Sequence, residues 1–220
     1  MSMKIRILLS DCPWNFSDRK ETRRDNPDKK CKFGIGAQRR YSKGCMKTPE
    51  IIKVGQYLEP LLAPDCYHFM WTTASHLPDA LEVMKAWGFK YKNIAFVWVK
   101  TTKHGKLFWG PGSYIPNNAE LCLFGVRGRP WHSSFGKKPC QIVMAPQPRD
   151  ENNAIIHSRK PYEVENTIAD WLLPQADGMA MMELFATERK PRWHCVGHEL
   201  SGNDIKEDLL AFSAMDFFTM

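Results

Sequence analysis

An acidic residue followed by a short aromatic turn stands near the start of the chain. The segment Ser10-Asp11-Cys12-Pro13-Trp14 directly follows residues 4–9, whose apolar composition predicts a buried strand. A carboxylate and main-chain carbonyls at the mouth of a strand can accept the N–H groups of the exocyclic amine of a planar base, while a tryptophan ring stacks on that base. From these residues alone, such a site and a tight turn with a core tryptophan are equally compatible with the pattern.

Basic residues are concentrated in the segment that follows. The 220-residue chain carries a net charge of +7, and residues 18–43 hold ten basic residues against four acidic ones. A second stretch, residues 127–138, holds four basic residues and no acidic one. Clustered positive charge favours a polyanion partner, because neutralising phosphates releases counterions. We therefore predict that a nucleic-acid backbone passes these segments; a solvated loop is the alternative for either stretch.

The composition sets the broad class of protein. With 43% hydrophobic and 25% charged residues, the chain is neither disordered nor membrane-embedded in character. No apolar run approaches the roughly 20 residues of a membrane span, so we expect an intracellular protein without a membrane partner. Seven cysteines without a CxxC pair predict free thiols. His194, Cys195 and His198 have no partner cluster elsewhere, so no metal site is predicted.

Strand-like and helix-like segments alternate along the chain. Strands are predicted over residues 4–9, 67–71, 93–100, 119–126, 141–145, 179–185 and 193–197, and helices from Thr48 to near Pro64 and over 78–87, 161–173 and about 201–212. Residues 15–47 are predicted to form a long basic loop. The alternation predicts a single α/β domain, residues 1–220, with a mainly parallel sheet. Asp11, Trp71, Lys100 and Phe185 lie at strand ends, where ligands bind such sheets.

Further motifs extend this pattern along the chain. In chain order they are Asp11-Cys12-Pro13-Trp14 followed by Tyr41 and Met46; Phe69-Met70-Trp71; Ala86-Trp87-Gly88-Phe89; Trp98-Val99-Lys100; Gly110-Pro111-Gly112; Asn117-Asn118-Ala119-Glu120; Gly125-Val126-Arg127-Gly128; His157-Ser158-Arg159-Lys160-Pro161; Glu183-Leu184-Phe185; and Trp193 with Gly197-His198-Glu199. Their order and spacing resemble the MT-A family over roughly residues 4–203. These are adenine-N6 methyltransferases named after the seventy-kilodalton subunit of the messenger-RNA enzyme.

The resemblance implies a Rossmann-like methyltransferase fold that uses S-adenosylmethionine, with a permuted motif order. It implies the catalytic segment Asp11, Cys12, Pro13 and Trp14; cofactor-binding roles for Asp11, Lys160, Phe185, Arg189, His198 and Glu199; and substrate-binding roles for Arg39, Arg40, Tyr41, Trp71, Lys100 and Glu120. Lys160 would meet the cofactor carboxylate, and His198 with Glu199 its ribose. Trp71 and Phe185 have a core position as the alternative interpretation.

By this resemblance, the chain is expected to methylate the N6 amine of adenine, with DNA favoured because the chain lacks the accessory regions of the messenger-RNA enzymes. The same reaction on RNA is one alternative. A catalytically silent nucleic-acid-binding homologue is another, because Cys12 replaces the first proline of the family motif and His198 replaces an asparagine. The sequence leaves open whether the chain forms a homodimer.

Overall fold

A computed structural model of the chain describes residues 4–15, 45–110, 115–130, 138–156, 159–172 and 180–215. These residues form a seven-stranded sheet with helices packed against it. The strands are β1 (Ile5–Asp11), β2 (Leu62–Thr72), β3 (Lys90–Thr101), β4 (Ala119–Arg127), β5 (Ile142–Pro146), β6 (Ala180–Leu184) and β7 (His194–Val196). The helices are α1 (Thr48–Leu58), α2 (Leu77–Ala86), α3 (Tyr162–Leu172), α4 (His198–Ser201) and α5 (Ile205–Met215).

The strand order in the sheet is β5-β3-β4-β2-β1-β6-β7. Strand β1 pairs in parallel with β2 and β6, and β6 pairs in parallel with β7. Only β4 runs against its neighbours β2 and β3, and β5 is parallel to β3. The carboxyl ends of β1, β2, β3 and β6 therefore lie along one edge of the sheet, which we call the carboxyl edge. Because β4 is reversed, its first residues reach the same edge.

Apolar side chains cover both faces of the sheet. Alternate residues of a strand point to opposite faces. Leu8 accordingly belongs to the core under α1, α2 and α5, whereas Ile7 and Leu9 belong to the core under α3. Helix α3 contributes buried Val164 and Ile168 to this second core. This alternation places Asp11 on the α3 side of the sheet, two residues beyond Leu9.

Two predicted helix boundaries were wrong. The helix starting at Thr48 ends at Leu58, and a 3-10 turn over Glu59–Leu61 leads into β2, so that Pro64 lies within a strand. The predicted last helix, about 201–212, corresponds to α5, which begins later, at Ile205, and the short helix α4 before it was not predicted. Gly202 adopts a left-handed φ of 78° after α4, which ends that helix one turn after it begins. The resulting turn, residues 202–204, separates the two helices.

The second basic stretch begins at the end of the sheet opposite the carboxyl edge, and the prediction that a nucleic-acid backbone passes it stays a prediction. Arg127 is the last residue of β4, which starts at the carboxyl edge and ends at the opposite one. Its guanidinium donates to both carboxylate oxygens of Glu59, with Nη2 2.7 Å from Oε1. Its charge is thus largely neutralised at this position. Residues 131–137 of the stretch lie outside the described residues.

Within the described ranges, no helix combines the length and the apolar character needed to cross a membrane.

Candidate active site

The residue that ends β1 is the centre of the site. Asp11 lies beside Trp71, the last residue but one of β2, in the parallel register, so the ends of both strands bring their side chains to the same place. Lys160 stands just before α3 and donates from Nζ to Asp11 Oδ2 at 2.5 Å. The two residues are separated by 149 positions in sequence. The structure therefore brings together the two groups predicted to hold the cofactor's amino acid end.

Four charged side chains form a row across the carboxyl edge. Lys160 Nζ also lies 3.4 Å from Glu120 Oε2, and the other oxygen of Glu120 accepts from Lys100 Nζ at 2.5 Å. We call Asp11, Lys160, Glu120 and Lys100 the charge row. Glu120 pairs with Trp98 across β4 and β3, which places Lys100 near the carboxylate. The signs alternate along the row, so each carboxylate has an ammonium neighbour.

Burial and pairing act in opposite directions on the two carboxylates. Burial is the largest influence on Asp11 and raises its pKa above the usual value, although Lys160 opposes the shift. Burial also disfavours ionisation of Glu120, but Lys160 and Lys100 together outweigh it and lower the pKa of Glu120. Glu120 is therefore held ionised by its two neighbours. Of the two carboxyl groups in the charge row, Asp11 is the one whose ionisation costs more free energy.

The turn after Asp11 is fixed by backbone hydrogen bonds. Cys12 O accepts from Trp14 N–H at 2.9 Å, and Pro13 O accepts from Met46 N–H at 2.7 Å. Each carbonyl oxygen has a second lone pair, so the predicted role as an amine acceptor stays chemically available and untested. The Cys12 side chain is buried, and burial raises the pKa of its thiol well above the usual range. The thiol is thus an apolar core group rather than a nucleophile.

The ring of Trp14 rests on a residue that the sequence analysis did not identify. His76 stacks on it with ring centroids 5.6 Å apart and planes 13° from parallel. His76 Nδ1 lies 3.1 Å from Asp79 Oδ2, and Asp79 Oδ1 accepts from Thr48 Oγ1 at 2.9 Å. Trp14 is only 4% exposed, so its ring is almost wholly covered in this structure, and its stacking on a base stays a prediction. The sequence pattern did not indicate His76, because Trp14, on which it stacks, lies 62 positions away in sequence.

Trp71 is buried, as the alternative interpretation of a core position predicted. It is 1% exposed and belongs to the core under α3. Its Nε1 has no hydrogen-bond partner among the described residues, which is costly for a buried donor. Lys160 Nζ lies 5.8 Å from its ring centroid. A role of Trp71 in a base pocket stays a prediction.

A cavity of about 520 Å³ opens beside the turn. Its lining includes five residues of the motif set: Pro13, Met46, Phe185, His198 and Glu199. Phe185 directly follows β6 and adopts a left-handed φ of 64°, a conformation that non-glycine residues rarely take outside functional sites. His198 is held by a 2.9 Å contact between its Nδ1 and Asn203 O. The structure thus gathers three of the predicted cofactor-binding residues around one cavity.

Helices α1 and α5 contribute cavity residues that the sequence analysis did not find. They are Glu50, Lys53, Val54, Gln56 and Tyr57 from α1, and Asn203, Asp204, Ile205 and Lys206 from the 202–204 turn and α5. Asp204 Oδ1 accepts from Lys206 N–H, and Glu207 reaches back to Asp204 N–H. Such a capping box marks a helix start, and the sequence Asp204-Ile205-Lys206-Glu207 carried that signal.

The remaining predicted residues are not placed at the cavity by the described part of the structure. Arg189 is exposed and is not among the described residues that line the cavity. Lys100 reaches Glu120 and lies 4.9 Å from the Trp98 ring centroid. Arg39, Arg40 and Tyr41 lie outside the described residues, as does most of the predicted basic loop. The roles assigned to these residues stay predictions.

A second buried ionic cluster lies on the α3 side of the sheet. Lys190 Nζ donates to Glu165 and, at 2.8 Å, to Glu183. Burial, reinforced by Glu183, raises the pKa of Glu165 from 4.5 to about 7, against the opposing influence of Lys190. The folded protein therefore binds this proton more tightly than the unfolded chain does. The associated stabilisation is complete below pH 4.5 and is lost as the pH rises through about 7.

Replacing Glu165 by Gln should remove this pH dependence. Relative to the Glu165→Gln variant, the wild type is expected to lose on the order of 1–3 kcal/mol of unfolding free energy between about pH 5 and about pH 8. Denaturant unfolding of both proteins across this range measures the difference. Glu163→Gln on the exposed face of the same helix is the matched control and should run parallel to the wild type. Parallel curves for Glu165→Gln would contradict the assignment.

Comparison with known proteins agrees with this geometry. The model of the MT-A70 family matches residues 6–199. This chain belongs to the MT-A70 family. It is 27% identical to the Type II methyltransferase M.MunI of Mycoplasma sp over 211 residues, 92% of this chain and 81% of that protein. It is 28% identical to the human N(6)-adenosine-methyltransferase catalytic subunit METTL3 over 147 residues, 65% of this chain but 23% of METTL3.

Membership of the MT-A70 family confirms the predicted family and the α/β, Rossmann-like fold class. The family and M.MunI also confirm the predicted assignment as a methyltransferase, and METTL3 is named as the catalytic subunit of an N(6)-adenosine-methyltransferase. The segment Asp11–Trp14 follows the first strand and the cavity residue Phe185 follows the sixth, which is the order that the resemblance implies.

Proposed function

We propose that this MT-A70 protein transfers a methyl group from S-adenosylmethionine to the N6 amine of adenine in DNA. The observation that carries the proposal is the pairing of Asp11 with Lys160 at the carboxyl edge, beside a cavity lined by Phe185, His198 and Glu199. The similarity to a Type II methyltransferase over most of both chains supports DNA as the polymer.

The residues of the cavity fit the proposed cofactor. A volume of about 520 Å³ is within the range of small-molecule sites. An aromatic side chain, Phe185, and polar ones, His198 and Glu199, suit an adenosine group. Lys160 is not among the described residues that line the cavity; it pairs with Asp11, two residues before the lining residue Pro13, and its ammonium suits a carboxylate. When bound, S-adenosylmethionine would supply an electrophilic methyl group. The cofactor would be held by His198, Glu199, Phe185 and Lys160.

The chain's own contribution to catalysis is positioning and electrostatics. The Asp11 carboxylate can accept an N–H of the adenine amine and so fix the orientation of its nitrogen. The carbonyls of Cys12 and Pro13 lie in the same turn as further acceptors. Lys160, which also contacts Glu120, restrains the Asp11 side chain from the α3 side. A duplex substrate would have to extrude the base before it could reach this turn.

The decisive experiment is incubation with isotope-labelled S-adenosylmethionine and either DNA or RNA, followed by mass spectrometry of the nucleosides. Labelled N6-methyldeoxyadenosine from DNA alone is the expected result. Label in adenosine from RNA alone would transfer the proposal to RNA, which the similarity to METTL3 makes the second candidate. Label on cytosine would overturn the assignment.

A silent homologue is the remaining alternative. It would give no labelled nucleoside in either polymer. Calorimetric titration with S-adenosylmethionine then separates an inactive scaffold, which need not bind the cofactor, from an enzyme whose recognition sequence was absent from the DNA used.

A further inference from the structure

A basic hairpin with an exposed tryptophan projects from the carboxyl edge. Its residues, 101–110, begin at the end of β3 and include Lys103, His104 and Lys106 but no acidic residue. Thr102 O accepts from Gly105 N–H at 2.9 Å and Thr102 N–H donates to Lys106 O at 2.7 Å. Gly105 takes a left-handed φ of 76°, which a tight turn of this kind requires. We call this segment the 101–110 hairpin.

The returning arm of the hairpin is fixed beside the charge row. Phe108 N–H donates to Lys100 O at 2.9 Å, and Leu107 forms a bridge with Thr101. At Gly110 the backbone approaches Asn117 so closely that an added Cβ would lie 1.9 Å from Asn117 O. Only glycine permits this approach. Residues 108 and 110 are therefore fixed next to the segments that carry Lys100 and Glu120.

Trp109 lies between these two anchors and is 78% exposed. A large aromatic side chain on a backbone fixed on both sides presents its ring to solvent without a core contact to explain it. Lys103 and Lys106 are exposed on the same hairpin and form no ion pair with any described residue. An aromatic face flanked by unpaired cations is the combination that binds single-stranded nucleic acid, through stacking on bases and contacts with phosphates.

We propose that the 101–110 hairpin is a nucleic-acid contact in which Trp109 stacks on a base adjacent to the target adenine, while Lys103 and Lys106 bind the backbone. The inference rests on the proposed function and specifies how the substrate is held. The charge row leads from the hairpin to Asp11 through direct contacts, so a strand on Trp109 would approach the catalytic turn. The absence of acidic residues favours a polyanion over a second protein chain.

The start of β3 offers a matched control. Tyr91 is likewise an exposed aromatic residue between two lysines, Lys90 and Lys92, and is 41% exposed. They lie at the opposite edge of the sheet, about 35 Å away along the strand. General electrostatic attraction would act at both ends of β3. Stacking at the substrate site would act only at Trp109.

The test measures binding of a fluorescently labelled single-stranded DNA oligonucleotide by anisotropy. Trp109→Ala is expected to weaken binding roughly tenfold, as the loss of one stacked base predicts. Trp109→Phe should retain most of the affinity, and Tyr91→Ala should match the wild type. Replacing Lys103 and Lys106 by Gln should lower the salt dependence of binding more than replacing Lys90 and Lys92 does. Thermal unfolding checks that the variants are folded.

Three results would overturn the inference: unchanged affinity of Trp109→Ala, an equal loss in Tyr91→Ala, or no binding by the wild type. A change in sedimentation behaviour on replacing Trp109, without a change in DNA affinity, would assign the ring to a protein interface instead. The results that would contradict the proposed function differ from those that would contradict the hairpin contact. Trp109-dependent binding without methylated adenine would contradict the enzyme, whereas methylation with Trp109-independent binding would contradict the hairpin contact alone.

Discussion

Replacing Asp11 by Ala is expected to reduce adenine methylation about 10²–10³-fold or more while the protein stays folded. The reason is that Asp11 is the carboxylate at the end of β1 that can accept the amine N–H, and loss of one preorganised partner of a reacting group has an effect of this size. Lys160 retains its contact with Glu120, so the ammonium is not left without a counter-charge. The measurement is the single-turnover rate of label transfer to DNA.

Asp11→Asn separates the charge of this residue from its shape. Asn can still accept from Lys160 but lacks the negative charge, so we expect nearly the same loss of rate as for Ala with less change in stability. Because burial raises the pKa of Asp11, the wild-type rate should fall on acidification at a higher pH than an ordinary aspartate would give. Substantial activity in Asp11→Ala would exclude Asp11 as the amine acceptor, whereas substantial activity in Asp11→Asn would show that an acceptor oxygen suffices without the negative charge.

The sequence was sufficient for the parts of the site that follow from strand order. Asp11, Trp71, Lys100 and Phe185 were predicted at strand ends, and all four lie at the carboxyl edge. This inference works because parallel strands deliver their carboxyl ends to one side of the sheet. Glu120 reaches the same edge from a reversed strand, which alternation alone did not predict.

Contacts between distant segments could not be predicted from the same pattern. The stacking of His76 on Trp14 and the hydrogen bond from Thr48 to Asp79 depend on how α1 and α2 pack against the turn after β1. Neither contact is indicated by a regular spacing of residue types along the sequence. The 202–204 turn was missed for a different reason: Gly202-Asn203-Asp204 is typical of a turn, and the predicted helix was started before this signal instead of after it.

Replacing Lys160 by Met should affect both stability and cofactor affinity. The ammonium lies between two largely buried carboxylates, Asp11 and Glu120, and its removal leaves Asp11 without its ion-pair partner. Removing one member of a buried pair costs about 3–5 kcal/mol, and the contact of Glu120 with Lys100 should limit the loss to about 2–4 kcal/mol near pH 8. On acidification the carboxyl groups take up protons, so the deficit relative to the wild type should shrink.

Lys53→Met is the matched control for Lys160→Met. Lys53 lines the cavity and is exposed, so the substitution removes the same charge without leaving a buried carboxylate unpaired. Calorimetric titration with S-adenosylmethionine should show at least tenfold weaker binding for Lys160→Met and a much smaller change for Lys53→Met. Lys160→Arg should recover stability more than affinity, because a planar guanidinium does not replace a compact ammonium between two carboxylates. Equal weakening by Lys53→Met and Lys160→Met would show that the cavity responds to net charge, and the assignment of Lys160 to the cofactor carboxylate would then be wrong.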